Sequence, residues 1–459
     1  MVFNVSRALN LAVKKHNDGD LNGAEFLYRR ILEEYPNNAD SWHLLGLVAY
    51  QTGRYEEAIK NIKKAISVNT NQALFYSNLG MAYDAVGRED DAAENFRRAL
   101  DIDPYFVKAA IAHYNLGVYY MDKGNVKEAL EHYDKAIGLD KDFYEARWNR
   151  GLVLLRLGRF EEGWKEYEYR FKKEKPSDSR VFKGLKWDGS LLEGKRILVI
   201  SEQGFGDNIN FIRYAPLIKN KDSYVILECK KELMRLFKDF PGIDEFIEKK
   251  KDTVLNVDFD FYIHLMSLPE IFGTNLSNIP SKSPYLFADV KLVEKFKSLF
   301  NKDCFNIGIV WAGNPDQAND KNRSIRFEKF KGLKEISGIK LYSLQKGEAV
   351  QELNDSEIVN LADEINDFAD TAAIIENLDL VISVDTSVAH LAGAMGKSVW
   401  TLLSTVSDWR WLLDRRDSPW YSSMRLFRQK RLGEWDFVFD EVRRELGKII
   451  LDRVELESS

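Results

Sequence analysis

Glycines at 19, 53, 87, 124 and 158 are separated by 34, 34, 37 and 34 residues, and this period constrains the fold more than any other feature of the chain. A repeat of that length marks a unit that cannot bury its apolar face alone and must stack on copies of itself. Three further series keep the same register. Gly46, Gly80, Gly117 and Gly151 carry the same steps, with Leu45, Leu79 and Leu116 just before the first three. Ala24, Ala58, Ala92 and Ala129 fall five residues after the turn glycines, and Tyr28, Phe96 and Tyr133 four residues after their alanines. An offset of four puts a small and a large residue on one helical face. Pro36 and Pro104 punctuate the ends of second helices, where a proline stops a helix without breaking its interior. Five helical hairpins are expected, the fourth preceded by a three-residue insertion.

A hairpin of this length has the tetratricopeptide period, so a solenoid is expected over residues 1–175. Asn78 and Asn115, each two residues before a repeat glycine, are expected to be exposed and to line a peptide groove; pure scaffolding is the alternative. The last hairpin departs from the others. Gly163 stands where alanine is expected, and Trp164, Tyr167 and Phe171 enlarge its apolar face, so it reads as a junction that packs against the next domain.

The length of 459 residues suggests three domains at about 150 residues each. A net charge of −6 with acidic and basic residues interspersed disfavours a nucleic-acid partner. Cys229 and Cys304, the two cysteines, are far apart with no ligand neighbourhood, so no disulfide framework and no metal site is expected. The first residues reach charge too early for a signal peptide, and no apolar run approaches the roughly 18 residues of a membrane span. A cytoplasmic protein is the expectation.

Beyond the polar stretch KKEKPSDSR the pattern changes. Residues 196–200, 224–227 and 261–263 read as short buried strands alternating with helices, and residues 307–311, 340–344, 380–384 and 398–402 form a second such series. Helices are expected through DFADTAAIIENL and SVAHLAGAM. Two βα series imply two Rossmann-like lobes, at 176–300 and 301–459, with ligands beyond the carboxyl ends of the strands.

The first strand leads into Ser201-Glu202-Gln203-Gly204-Phe205-Gly206-Asp207. Gly204 and Gly206 allow close backbone approach, and the helix after them offers unpaired N–H groups. Glu228, 22 residues after Gly206, stands where a ribose-binding acid of a dinucleotide site belongs, but the third fingerprint glycine is absent. Asp207 reads either as a helix cap or as a general base facing the cleft. In the second lobe Asp385-Thr386-Ser387 leads to His390, with hydroxyl and N–H groups suited to a sugar or diphosphate, or to ordinary capping. Gly313 and Asn314 share a loop with Arg323, and Gln345 and Lys346 end the next strand. Arginine and lysine at such ends suit phosphate, or simply solvent. The aromatic run through Trp409, Trp411, Trp420 and Tyr421 stacks a base or covers the core.

The Gly206-Asp207 pair, the Asp-Thr-Ser-x-x-His segment, and the stretches EQGFGDNINFIRYAPL, DFADTAAIIENLDLVISVDTSVAHLAGAMGK and DWRWLLDRRDSPWY resemble the ADP-heptose:lipopolysaccharide heptosyltransferase family over residues 190–450. They look like its bacterial subgroup joined to tetratricopeptide repeats. The resemblance implies a GT-B fold, with 176–300 on the acceptor side and 301–459 on the donor side. It implies an inverting, metal-independent transfer with Asp207 as base and Asp385 and Thr386 on donor sugar and phosphates. The family commonly has glycine where this chain has Ser387. Arg323 or Lys346 is the expected phosphate cation, with Gly313, Asn314, Gln345 and His390 around the donor and Gln203, Gly204 and Gly206 in the first-lobe loop. A nucleotide sugar is then the substrate, no cofactor is needed, and the solenoid recruits a protein acceptor such as flagellin. The competing readings are a non-catalytic adaptor with a sugar-nucleotide-binding or degenerate GT-B domain, and a nicotinamide enzyme.

Overall fold

The computed structural model describes residues 4–219, 222–250 and 257–457. Its first helices pair as hairpins: α1 (Val5–Asn17) with α2 (Leu21–Glu34), α3 (Ala39–Gln51) with α4 (Tyr55–Val68), α5 (Ala73–Asp84) with α6 (Glu89–Ile102), α7 (Ala109–Asp122) with α8 (Val126–Leu139), and α9 (Tyr144–Arg156) with α10 (Phe160–Tyr167). The turn glycines adopt φ between +74° and +83°, a region that side chains disfavour, which is why glycine recurs there. The second glycine series acts through space. A Cβ on Gly80 would lie 2.8 Å from Phe96 Cε1, and one on Gly117 would lie 2.5 Å from Tyr133 Cε1, so the ring of each second helix fills the room its partner helix leaves.

Asn78 corrects an expectation. It is 2% exposed, its amide nitrogen is 2.7 Å from His43 Nε2, and its amide oxygen accepts from Lys108 Nζ at 3.1 Å. The position on α5 faces α3 of the preceding hairpin instead of solvent, and its polarity is spent inside the stack. Asn115 is half-buried.

Compactness divides the chain into Met1–Arg150 and Gly151–Ser459. The division falls within α9, although helical periodicity runs on through α10. The reason is the enlarged apolar face: Trp164 Nε1 donates to Thr274 O at 2.9 Å, and its ring meets Trp409 edge-to-face at 5.2 Å. The end of the fifth hairpin is therefore part of the second unit's core.

That unit contains two parallel sheets. The first holds β1 (Leu185–Lys186), β2 (Arg196–Ile200), β3 (Tyr224–Cys229), β4 (Glu245–Glu248) and β5 (Phe261–His264), in the order β1-β5-β2-β3-β4. The second holds β6 (Phe305–Val310), β7 (Ile339–Ser343), β8 (Val359–Asn360), β9 (Leu380–Val384), β10 (Val399–Leu403) and β11 (Met424–Arg428), in the order β11-β10-β9-β6-β7-β8. The central strands β9 and β10 are buried throughout, as expected of sheets covered on both faces. In the first sheet the chain winds outward from β2 to β4 and resumes with β5 on the other side of β2, and in the second it winds from β6 to β8 and resumes with β9 on the other side of β6, so the switch points lie at β2/β5 and at β6/β9. Ligand crevices in such sheets open beyond the carboxyl ends at these points. The loops there are 201–207 after β2, 311–324 after β6 and 385–387 after β9.

Candidate active site

The loop after β2 enters α11 (Phe205–Phe211). Gln203 takes φ of +56° without being glycine, and its amide donates to Tyr167 Oη at 2.6 Å. Just before it, Glu202 is buried and receives a two-pronged contact from Arg170, at 3.0 and 2.8 Å. Both partners come from the end of the fifth hairpin, so this hairpin fixes the backbone that presents Asp207.

Asp207 combines the two roles its sequence position left open. Its Oδ2 accepts the Gly204 N–H at 2.8 Å, closing the first turn of α11, while Oδ1 accepts from Arg410 Nη2 at 2.5 Å. Burial raises its carboxyl above the ordinary aspartate value, and Arg410 pulls the other way. Arg410 is itself buried and shares its charge with Asp408 at 3.0 Å, and its Nε has no hydrogen-bond partner among the described residues.

The helix Ser387–Ala394 after β9 packs against α11. At Gly206 a Cβ would stand 2.8 Å from His390 Cδ2 and 3.5 Å from Ser387 Cα, so the two loops meet where a side chain is missing. His390 lies against Trp411 at 5.1 Å, and its Nδ1 is 2.9 Å from Tyr421 Oη, which also receives the Asn210 amide at 2.6 Å. Burial, then Arg410, pushes the imidazole well below its usual value. Its Nε2 approaches Asp385 Oδ1 at 4.0 Å, and the lowered affinity for a proton works against an ion pair there. The Asp385 carboxyl rises to about 6, first through burial and then through the neighbouring Asp408. Thr386 caps the helix by backbone geometry and shares a hydrogen bond of 2.9 Å with Ser383 Oγ.

The loop after β6 closes on the same point. Arg323 Nη1 donates to Asp385 O at 3.1 Å and Nη2 to Asn314 O at 3.4 Å, while Nε pairs with Asp320 at 3.0 Å. Its guanidinium occupies the space a Cβ on Gly313 would need. Asn319 Nδ2 donates to Val406 O at 2.7 Å, tying in the loop after β10. Gln345 stands behind this arrangement, its amide oxygen accepting from the N–H groups of Trp311 and Ala312 at 3.0 and 2.9 Å. Lys346 takes no part in it; its ammonium donates to the carbonyls of Ala362 and Ile365.

Asp207, Gly206, Gly313, Asn314, Arg323, Asp385, Thr386, Ser387 and His390 thus converge. The aromatic run is core: Trp409, Trp411, Trp420 and Tyr421 are all buried. Sequence reasoning missed Arg410, whose one signal is a cation set between two tryptophans. Glu228, the candidate ribose acid, is fully committed to Arg180 at 2.5 and 2.9 Å.

Residues 39–104 match the tetratricopeptide repeat and residues 119–158 a TPR repeat, while residues 338–431 match glycosyltransferase family 9 (heptosyltransferase). The last segment contains Asp385, His390 and Arg410 but not Asp207. Protein FlbA of Caulobacter vibrioides is 26% identical over 429 residues, which is 87% of this chain and 71% of that protein. Among solved structures, the MamA protein is 28% identical, covering 37% of this chain and 92% of its own at a TM-score of 0.33. YrrB, described as a TPR protein with an unusual peptide-binding site, is 18% identical, covering 37% of this chain and 86% of its own at a TM-score of 0.32. No described helix is long and apolar enough to cross a membrane. The chain thus carries tetratricopeptide repeats in its first part and, over residues 338–431, a segment that matches glycosyltransferase family 9 (heptosyltransferase).

Proposed function

We propose that the protein transfers a sugar from a nucleotide-sugar donor to an acceptor hydroxyl with inversion, and that the acceptor is a protein recruited by the solenoid, flagellin being one candidate. The two sheets read as the lobes of a GT-B arrangement, with 176–300 on the acceptor side and 301–459 on the donor side. The observation that carries this reading is the meeting of Asp207 with Arg410 and of Gly206 with His390. It joins the glycine loop of one sheet to the hydroxyl loop of the other at both switch points.

In this reading Asp207 takes the proton of the acceptor hydroxyl as its oxygen attacks the anomeric carbon from the face opposite the diphosphate. The carbon–oxygen bond to the diphosphate breaks, and the departing charge is met by Arg323 and by the N–H groups at Thr386 and Ser387. Desolvation makes Asp207 a stronger base than a solvated aspartate, while Arg410 favours its ionised form and aims it. The departing charge is thus assigned to Arg323 and a helix N-terminus, with the nucleotide sugar entering as substrate.

Turnover of a panel of nucleotide sugars tests the assignment. Asp207→Asn, folded as judged by circular dichroism, is expected to lose about 10²–10⁴ in rate, the range of a positioned base. A folded variant that works at the native rate removes Asp207 from the mechanism. Failure of the native chain to bind or turn over any donor returns the domain to an adaptor role.

A further inference from the structure

Arg156, the last residue of α9, is 3% exposed. Its Nη2 donates to Thr405 O at 2.6 Å, in the loop after β10. Among the described residues, its buried Nε and Nη1 have no hydrogen-bond partner. Arg428, the last residue of β11, stands at the carboxyl edge of the same sheet, in register with Leu403 at the end of β10. It donates to Arg415 O at 3.1 Å, to Ser407 Oγ at 3.0 Å and to Trp411 O.

Both guanidiniums therefore clasp the 404–411 segment, Arg156 at its start and Arg428 further along, and their protein partners are carbonyl and hydroxyl oxygens. They also feel each other. Burial first, and then Arg156, brings Arg428 down to about 10, with Asp414 and Asp385 opposing. Burial lowers Arg156 as well, with Asp408 opposing. A guanidinium stays charged at neutral pH, so the buried Arg156, with two donors unpartnered and the half-buried Arg428 of like sign near it, is costly unless an anion joins them. The planar fork of arginine matches a phosphate in two-point contact. The loop they clasp is the one Asn319 ties to the donor-side cluster.

We propose that Arg156 and Arg428 together bind a phosphate of the donor's diphosphate, so that a helix of the repeat hairpin supplies part of the donor site. The proposal rests on the donor-side reading of the second lobe, but it is tested without sugar transfer. In the full chain, inorganic pyrophosphate is expected to raise the melting temperature, because a ligand of the native state stabilises it. Arg156→Met is expected to lose at least about tenfold in pyrophosphate affinity, the worth of one hydrogen bond to a charged group. Without anion it is expected to melt no lower than the native chain, since an unpaired buried charge is gone; a purely structural tether at Thr405 would melt lower.

A native chain that ignores pyrophosphate overturns the proposal, as does a folded Arg156→Met of native affinity. Should Arg156→Met fail to fold, Arg156→Lys carries the test: a point charge in place of the fork is expected to weaken binding several-fold, and unchanged affinity overturns the assignment. A panel of nucleoside diphosphates separates a nucleotide from free phosphate. One that binds more tightly than pyrophosphate and depends on Arg156 is the expected result, and none doing so overturns the nucleotide assignment. Pyrophosphate bound through Arg156 with no donor turnover leaves the anion site standing and sinks the transferase reading. Turnover that needs Asp207 but ignores Arg156 does the reverse.

Discussion

Asp385 joins Arg323 of the loop after β6 to His390 of the helix after β9, and its carboxyl titrates away from the ordinary aspartate value. Burial and Asp408 raise it from 3.8 to about 6, so between those values the native state binds a proton that the unfolded chain has released. Stability from this group is present below about pH 3.8 and is lost as pH rises through about 6. Asp385→Asn removes the titration. Relative to the native chain, the variant is expected to gain stability from about pH 4 to about pH 7, measured as the difference in urea unfolding free energies. Parallel curves across that window would show an aspartate that titrates normally.

At the scale of elements, the fifth hairpin departs furthest from its pattern. Tyr167 holds Gln203, Arg170 holds Glu202, Trp164 meets Trp409 and Arg156 reaches Thr405. One hairpin thereby grips the loop that presents Asp207 and the loop after β10. Its buried ion pair is the sensitive point: Arg170 is 0% exposed and Glu202 2%. Arg170→Met strands a buried carboxylate and is expected to cost about 3–5 kcal/mol in urea unfolding, whereas Arg170→Met combined with Glu202→Gln is expected to recover part of that loss. Equal losses for the single and double variants would place the energy in packing instead of charge.

For the whole molecule, the division at Arg150/Gly151 makes truncation informative. A chain that starts at Tyr144 keeps the hairpin complete. Under the proposed function it is expected to fold and to turn over nucleotide sugar while losing modification of the proposed protein acceptor. A chain that starts at residue 176 lacks Arg156, Trp164, Tyr167 and Arg170, and is expected to melt far lower or to aggregate. Full acceptor modification by the chain that starts at Tyr144 would reduce the repeats to a scaffold.

The solenoid was legible because its signals are local and repeated. A turn glycine at positive φ and a glycine facing an aromatic ring each require one residue type at one step. The strands β2, β3, β5, β6, β7, β9 and β10 were legible for a similar reason, as short apolar runs, whereas β4 and β11, which mix charged with apolar residues, and the two-residue β1 and β8 were not. The glycine loop and the Asp-Thr-Ser-x-x-His segment stood out in the sequence as well. Partnership did not. Arg410 is 203 residues from Asp207, and Arg156 is 249 from Thr405; no spacing rule links such positions, because burial and charge pairing are properties of the packed chain. The same holds for Asn78, polar in sequence and buried in the stack, and for Lys346, a basic loop residue whose charge is spent on carbonyls away from the cluster. The sequence alone determined the repeat, its register, the two sheet series and the loops that carry the chemistry, since backbone conformation and helical or strand period are written residue by residue. Only the tertiary structure decided which cations face which carboxylates and where the solenoid's last hairpin belongs, since those depend on how distant segments exclude water together.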